Sequence, residues 1–436
     1  MSKKILATVM LGGMIASSGA FAQTEIQWWH AMGGRNTDKI NEIAEKYNAS
    51  QSEYKVVPTY KGNYTETMTS AIAAFRANQQ PHIVQVFEVG TATMMAAEGA
   101  VYPVYKLMAD TKTDFDPNAY LPAVKSYYTT EDGDLLSMPF NSSTPVLWYN
   151  KDAFRQAGLD PESPPKTWDE MESASRALVN SGLKCGFSFG WQSWVMVENY
   201  SAWHNLPIGT KSNGFGGLDT ELTFNNDKVV NILQRIADMQ KDNLFVYGGR
   251  RGDSLPKFTG GECGMWINSS AYLAGIDKGA KFEYGQGMLP LDTAVADKPQ
   301  NSIIGGATLW VLKGKDQKDY AGVADFFNFL SSPEIQYDWH DFTGYVPITT
   351  AAYEMAAEDG QYIRKPGADT AILQLSLNPP TANSKGLRFG NFVQVRDIIN
   401  EEMESLWAGT KTAKEALDTA VARGNALLRK FEKANK

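Results

Sequence analysis

The sequence predicts an α/β protein with more than one core, and three observations carry that prediction. Over the first hundred residues, short apolar runs of strand type alternate with segments of helical periodicity, the pattern of sheets covered by helices. At 436 residues the chain exceeds what a single core of about 100–200 residues accommodates. Past Pro145 the alternation resumes with a new set of strands.

Taken in order, Glu25 to His30 reads as a first strand. The segment that follows places Ile40, Ile43, Ala44 and Tyr47 on one helical stripe. "KVVPTYKG" is a second strand, and a helix is predicted over Thr65 to Arg76 with Met68, Ile72 and Phe75 facing inward. "HIVQVFEVG" is a buried-type strand ending at Glu88 and Gly90, and this alternation predicts parallel sheets, whose ligands gather at the carboxyl ends of strands. From Lys151 to Ala157 a short helix is expected, stopped by Gly158 in a left-handed conformation. Pro164 and Pro165 bar continuation, and Thr167 with Glu170 forms a capping box for the next helix. "PVLWYNK", "CGFSFGW", "ECGMWINSS", "EYGQGMLP" and "ATLWVLK" are all strand-like. The last 120 or so residues are helix-rich: Thr412 and Glu415 form another box, and Ala416, Leu417, Ala420, Val421, Leu427, Leu428 and Phe431 keep helical spacing.

The N-terminus carries an export pattern. Lys3 and Lys4 precede an apolar run from Ile5 to about Ala16, and Ala20-Phe21-Ala22 is a small-x-small cleavage site. The run is too short for a permanent span, and no cysteine follows to carry a lipid anchor, so Met1 to Ala22 reads as a removed signal peptide. Its loss takes two lysines from a chain of formal charge −8, making the mature charge −10. That acidity argues against nucleic acid and anionic membrane surfaces, but not against a small anion met by local donors. Cys185 and Cys263 have no metal-site spacing; export permits a disulfide between them, and the sequence leaves both bridge and free thiols open.

Enzymatic and metal signatures are missing. His30, His82, His204 and His340 are scattered singly, which disfavours a metal centre, and no cofactor is called for. Neither a phosphate loop of the G-x-x-x-x-G-K-[ST] kind nor a G-x-S-x-G elbow is present. The Arg251–Asp253 "RGD" and the sequons at Asn63, Asn141 and Asn268 carry no functional weight.

"YNKDAFRQAGLDPESPPKTWDEM", "FTGGECGMWINSS" and "GGATLWVLKGKDQKDYAGVADFFNFLSSPEIQ" resemble the signature blocks of the extracellular solute-binding proteins of sugar-type ABC importers. "VPTYKGNYTETM", "EVGTATMM", "PFNSSTPVLWYNKDAF", "IIGGATLWV" and "ARGNALLRKFEK" extend the likeness, across the mature chain, to the glycerol-3-phosphate-binding branch of that family. The resemblance implies a two-lobed periplasmic binding protein fold, each lobe a sheet covered by helices, with hinge crossings between them. Lobe one would be 23–140 plus 303–345, and lobe two 141–302 plus 346–436, with "PFNSSTP" as a crossing. It further implies a monomeric periplasmic protein, not an enzyme. Such a protein delivers sn-glycerol-3-phosphate, and diesters such as glycerophosphocholine, to the permease and ATPase of an importer.

Residue by residue, the resemblance puts Tyr64, Glu88, Ser143, Trp191, Ser269, Gly306, Tyr345 and Arg396 around the ligand. Arg396 would fork two phosphate oxygens, with Ser143 and Ser269 as hydroxyl donors and Gly306 allowing close backbone approach. Glu88 would accept from glycerol hydroxyls at the opposite end, while Trp191, Tyr64 and Tyr345 wall the site. Read without the resemblance, Trp191 suits the core more readily than a binding wall, Glu88 suits a helix cap and a site equally, and the default for Arg396 is a surface ion pair with Asp397, Glu401 or Glu402. Two other functions fit parts of the pattern. Eleven tryptophans suit a binder of neutral oligosaccharides, against which the permanent cation of Arg396 argues. A glycoside hydrolase needs two facing carboxylates, and only Glu88 is at hand.

Overall fold

A computed structural model describes residues 23–97, 99–130 and 132–436; the expected signal peptide lies outside the described residues. Ten strands are found among them, in chain order β1 (Thr24–His30), β2 (Tyr54–Tyr60), β3 (Ile83–Phe87), β4 (Val101–Tyr102), β5 (Met138–Ser143), β6 (Pro145–Asn150), β7 (Cys185–Phe189), β8 (Cys263–Ser269), β9 (Tyr284–Gly287) and β10 (Gly305–Leu312). They form two sheets. The first runs β2-β1-β3-β10-β4, with β5 also paired to β10; the second runs β7-β8-β6-β9.

Both sheets are mixed, which corrects the expectation of parallel ones. β1 is parallel to β2 and to β3, and β7 to β8. β10, however, is antiparallel to β3, β4 and β5, and β6 is antiparallel to β8 and β9. The cause is connectivity. β5 and β6 make an almost continuous strand, interrupted only at Thr144, that leaves the first sheet and enters the second. β10 then returns from the second sheet and comes in against the direction of β3. Local helical periodicity carries no record of that return.

Thr144 Oγ1 donates to Ser302 Oγ at 2.7 Å, tying the outgoing strand to the returning one. A third passage brings Val346 N onto the Ser142 carbonyl at 2.8 Å. The backbone groups and the Thr144 and Ser302 hydroxyls at these passages are buried and bonded, whereas the Ser142 hydroxyl is buried without a partner among the described residues.

Helices cover the sheets with the stripes expected of them. Arg35–Ser50 buries Ile40, Ile43, Ala44 and Tyr47. In Tyr64–Arg76 the inward face is instead Thr67, Met68 and Ala71, and Ile72 lies at the surface. The Asn63 side chain caps this helix, accepting from Glu66 N while the Glu66 carboxylate accepts from Asn63 N. Lys151–Gln156 ends before Gly158, whose φ is +73°, and the Thr167–Glu170 box opens Trp168–Asn180. Phe392–Trp407 and Ala413–Asn435 pack on one another at the C-terminal end, the latter started by the Thr412–Glu415 box. Trp28, Trp148, Trp203, Trp266 and Trp310 are fully buried and Trp168, Trp194, Trp339 and Trp407 nearly so, so nine of the eleven tryptophans belong to the core. Cys185 and Cys263 stand in register on β7 and β8 and form a disulfide, which closes the question the sequence left open. Among the described residues no helix is long and apolar enough to cross a membrane, and no group of three or more His, Cys, Asp or Glu could hold a metal ion.

Candidate functional site

All eight residues singled out from the sequence line one cavity of about 240 Å³. Three lie at the carboxyl ends of strands: Glu88 just after β3, Ser143 closing β5, and Ser269 closing β8. Gly306 is the second residue of β10, and Tyr345 follows the Gly344 turn after Pro333–Thr343. Tyr64 opens its helix, Trp191 follows β7, and Arg396 sits in the first half of Phe392–Trp407. Both sheets therefore contribute, and the strand crossing at Thr144 lies directly beside Ser143.

A neutral, donor-rich end can be traced atom by atom. The Ser269 hydroxyl donates to Ser143 Oγ at 2.8 Å and accepts from Ala271 N at 3.1 Å, which leaves the Ser143 hydroxyl hydrogen free to donate. Gly306 has φ +102°, and a Cβ there would lie 2.0 Å from the Asn141 carbonyl oxygen, so only glycine fits. Tyr64 stacks on Phe87, rings 5.3 Å apart, and its hydroxyl accepts from Asn141 Nδ2 at 2.9 Å. Asn141 is held in turn by Gln85 Nε2 at 2.7 Å, and Gln85 Oε1 accepts from Ala31 N at 2.7 Å. Tyr345 stacks on Trp339 at 5.7 Å. Burial raises the pKa of both phenols, so they remain neutral hydroxyls near neutral pH.

Trp191 adopts φ +47°, an unusual conformation for a bulky side chain. Its N–H donates to the Arg251 carbonyl at 3.1 Å, its indole N–H reaches Tyr272 Oη at 3.4 Å, and the Arg251 guanidinium lies 5.7 Å from the ring. Trp194 fills the space under Gly305, where a Cβ would meet its ring at 2.4 Å.

The charged end departs from expectation. Arg396 and Glu88 do not stand at opposite ends: Arg396 Nη2 donates to Glu88 Oε1 at 2.6 Å. Nor does the guanidinium offer its fork, because Nε and Nη2 donate to Glu198 Oε1 at 2.7 Å and Oε2 at 2.6 Å. The surface-pair reading of Arg396 fails as well, since Arg396 is 6 % exposed. Of the acids named as its surface partners, Glu401 pairs with Arg423, and Glu402 with Arg423 and Lys411. Burial alone would weaken the Arg396 charge, but the Glu198 and Glu88 carboxylates together outweigh it and hold the guanidinium protonated. Burial pushes the Glu88 pKa up, against the pull of Arg396.

Glu198, Trp194 and Tyr272 were missed by sequence reasoning. One signal was available for Glu198: it stands in "WVMVENY" with no basic residue three or four positions away, as an acid does when its partner is distant in sequence.

A profile of the family described as bacterial extracellular solute-binding protein matches residues 42–370. The sn-glycerol-3-phosphate-binding periplasmic protein UgpB of Pectobacterium atrosepticum is 51 % identical over 423 residues, covering 97 % of this chain and 95 % of the relative. UgpB of Escherichia coli K12 is 50 % identical over 431 residues, covering 99 % and 98 %. Among solved structures, UgpB of Mycobacterium tuberculosis in complex with glycerophosphocholine superposes with TM-score 0.77 at 20 % identity, covering 94 % of this chain and 99 % of that one. The cyclic α-maltosyl-1,6-maltose binding protein of Arthrobacter globiformis superposes with TM-score 0.74 at 24 % identity, covering 94 % and 100 %. Those two likenesses speak to the two-lobed fold.

Proposed function

We infer that this chain, which belongs to the bacterial extracellular solute-binding proteins, captures sn-glycerol-3-phosphate in the cavity between its two sheets. It carries the ligand through the periplasm to the permease and ATPase of an ABC importer. The observation that carries this reading is one cavity with a neutral hydroxyl cluster beside a compensated charge cluster, in a chain about half identical to named binders of that compound over its whole length.

The structure changes how the ligand would sit. With the Arg396 fork held by Glu198 and Glu88, the phosphate falls to the neutral donors Ser143, whose hydroxyl Ser269 orients, Tyr64 and Tyr345 and to the Cβ-free backbone at Gly306. The glycerol hydroxyls then meet the Glu88–Arg396 cluster, and Trp191 covers the C–H faces. An uncharged donor cradle does not require two negative charges on the phosphate, so a glycerophosphodiester such as glycerophosphocholine suits the same seat. The lobes, 23–140 plus 303–345 and 141–302 plus 346–436, would close on it about the passages at Thr144, Ser302 and Val346.

The chain binds its ligand and does not turn it over. Glu88 and Glu198 accept from the same guanidinium nitrogen, so they do not face one another across a scissile bond as glycoside hydrolysis requires. Arg396 no longer argues against a neutral sugar, because two acids already match its charge. The preference for a phosphate ester over an oligosaccharide rests on the curated relatives and on a cavity below the usual 300–1,000 Å³ of larger ligand sites.

Thermal shift and calorimetry with glycerol-3-phosphate, glycerophosphocholine, maltose and inorganic phosphate test the reading. The first two should stabilise the protein by about 2.7 kcal/mol at a hundredfold excess over Kd. Replacing Ser143 and Ser269 together by Ala should weaken both by tenfold or more. Binding of maltose without binding of glycerol-3-phosphate would overturn it.

A further inference from the structure

Three N–H bonds of Arg396 are spoken for. The single Nε hydrogen goes to Glu198, and the two on Nη2 go to Glu198 and Glu88. What remains is Nη1, which makes no hydrogen bond to any described residue and is not among the enclosed, unpartnered polar atoms, on a side chain that lines the cavity. Among the described residues no other Lys or Arg lines that cavity. One guanidinium therefore faces two carboxylates, and the fully ionised cluster carries a net charge of −1. Such a cluster gives no seat to a bare anion. It gives a good one to a hydroxyl, which can donate to a Glu88 oxygen and accept from Nη1 at once.

Glu198 is placed for this by its backbone. It lies in a π-helical turn, Trp194–Asn199, a rare conformation that recurs at functional sites. Asn199 fixes the turn: its Nδ2 donates to the Trp194 carbonyl at 3.1 Å, and its Oδ1 accepts from Ile303 N at 2.9 Å on the returning crossing. Glu198 itself is fully buried.

We propose that Glu198 is a specificity-determining residue: by gripping one edge of Arg396 and cancelling its charge, it makes that end of the cavity read hydroxyl groups and reject bare anions. The proposal deepens the functional reading above and rests on it.

The test is a ratio of affinities, measured by calorimetry for glycerol-3-phosphate, ethyl phosphate and inorganic phosphate. In the wild-type protein, glycerol-3-phosphate should bind at least tenfold tighter than ethyl phosphate, which offers no hydroxyl. Glu198→Gln keeps the shape and removes the charge; it should shrink the preference for glycerol-3-phosphate over inorganic phosphate by tenfold or more. A loosened fold would weaken both ligands alike and leave that ratio untouched. A ratio within threefold of wild type would overturn the proposal. So would equal wild-type affinities for ethyl phosphate and glycerol-3-phosphate, a result that needs no variant to fold. Failure of the wild-type protein to bind glycerol-3-phosphate at all would refute the functional reading, and this proposal with it.

Discussion

Replacing Arg396 by Met removes the only cation from a buried cluster and leaves Glu88 and Glu198, 3 % and 0 % exposed, without a partner. Taking one member from a buried, hydrogen-bonded ion pair costs about 3–5 kcal/mol, because the remaining charge is neither solvated nor matched. The cost is bounded above by protonation of Glu88, whose pKa burial already raises and which can become neutral for about 1.4 kcal/mol per pH step above that pKa. Unfolding entropy for roughly 400 residues is about 0.9 kcal/mol per kelvin, so the expected loss is about 3–6 °C in Tm at pH 7. At pH 5 the loss should shrink, since the orphaned Glu88 is then closer to neutrality. Adding Glu88→Gln and Glu198→Gln should return most of it. Calorimetric melting of the wild type, Arg396→Met and the triple variant at both pH values decides the matter, and ligand affinity should fall tenfold or more from loss of the Nη1 donor. An Arg396→Met protein that melts like wild type, with the same pH dependence, would refute the account of a compensated buried triad.

Two further outcomes follow from the same reasoning. The Cys185–Cys263 bridge spans a sequence separation of 78 residues, so Cys185→Ala with Cys263→Ala should cost about 2–4 kcal/mol in urea unfolding; a difference under about 1 kcal/mol would show that the closed loop constrains the unfolded chain little. Burial holds all four histidines below their usual pKa, His30 and His340 to about 4. The unfolded chain takes up these protons near pH 6.5 and the folded one does not, so stability is full above pH 6.5 and is lost as the pH falls toward 4. The loss should be about 2–3 kcal/mol for each of His30 and His340, and His340→Gln should flatten the profile. Stability that holds or rises between pH 6.5 and 4.5 would contradict it.

Much of the architecture was legible because it is local. Capping boxes at Thr167 and Thr412 and the glycine stop at Gly158 are read from a few adjacent residues, and each stands where the spacing put it. Ile72 marks where local reading ends. In that helix Ala71, not its larger neighbour, is the buried residue, because the packing of the helix on the rest of the lobe and not its own periodicity decides which side turns inward. Strand direction was illegible for a different reason. A buried strand looks the same from either end, so the reversal of β10 appears only when its partner strands are known.

The site shows the same division between type and arrangement. Its eight residues converge on one cavity, but their sequence-level roles were assigned one at a time, and charge is a property of the group. Arg396 alone is an anion receptor; beside Glu88 and Glu198 it is a hydroxyl donor with its charge already matched. Glu198 decides between the two, although it is 198 residues away in sequence from the arginine it holds. A buried permanent cation implies a buried counter-charge, because desolvation in a cavity of this kind is not otherwise met. Arg396 therefore answers to its acids before it answers to any ligand. Acids with no local base are candidates for such a counter-charge; Glu198 and Glu88 are both of this kind, as are Glu221, Asp292 and Asp325, so the sequence narrows the choice without making it.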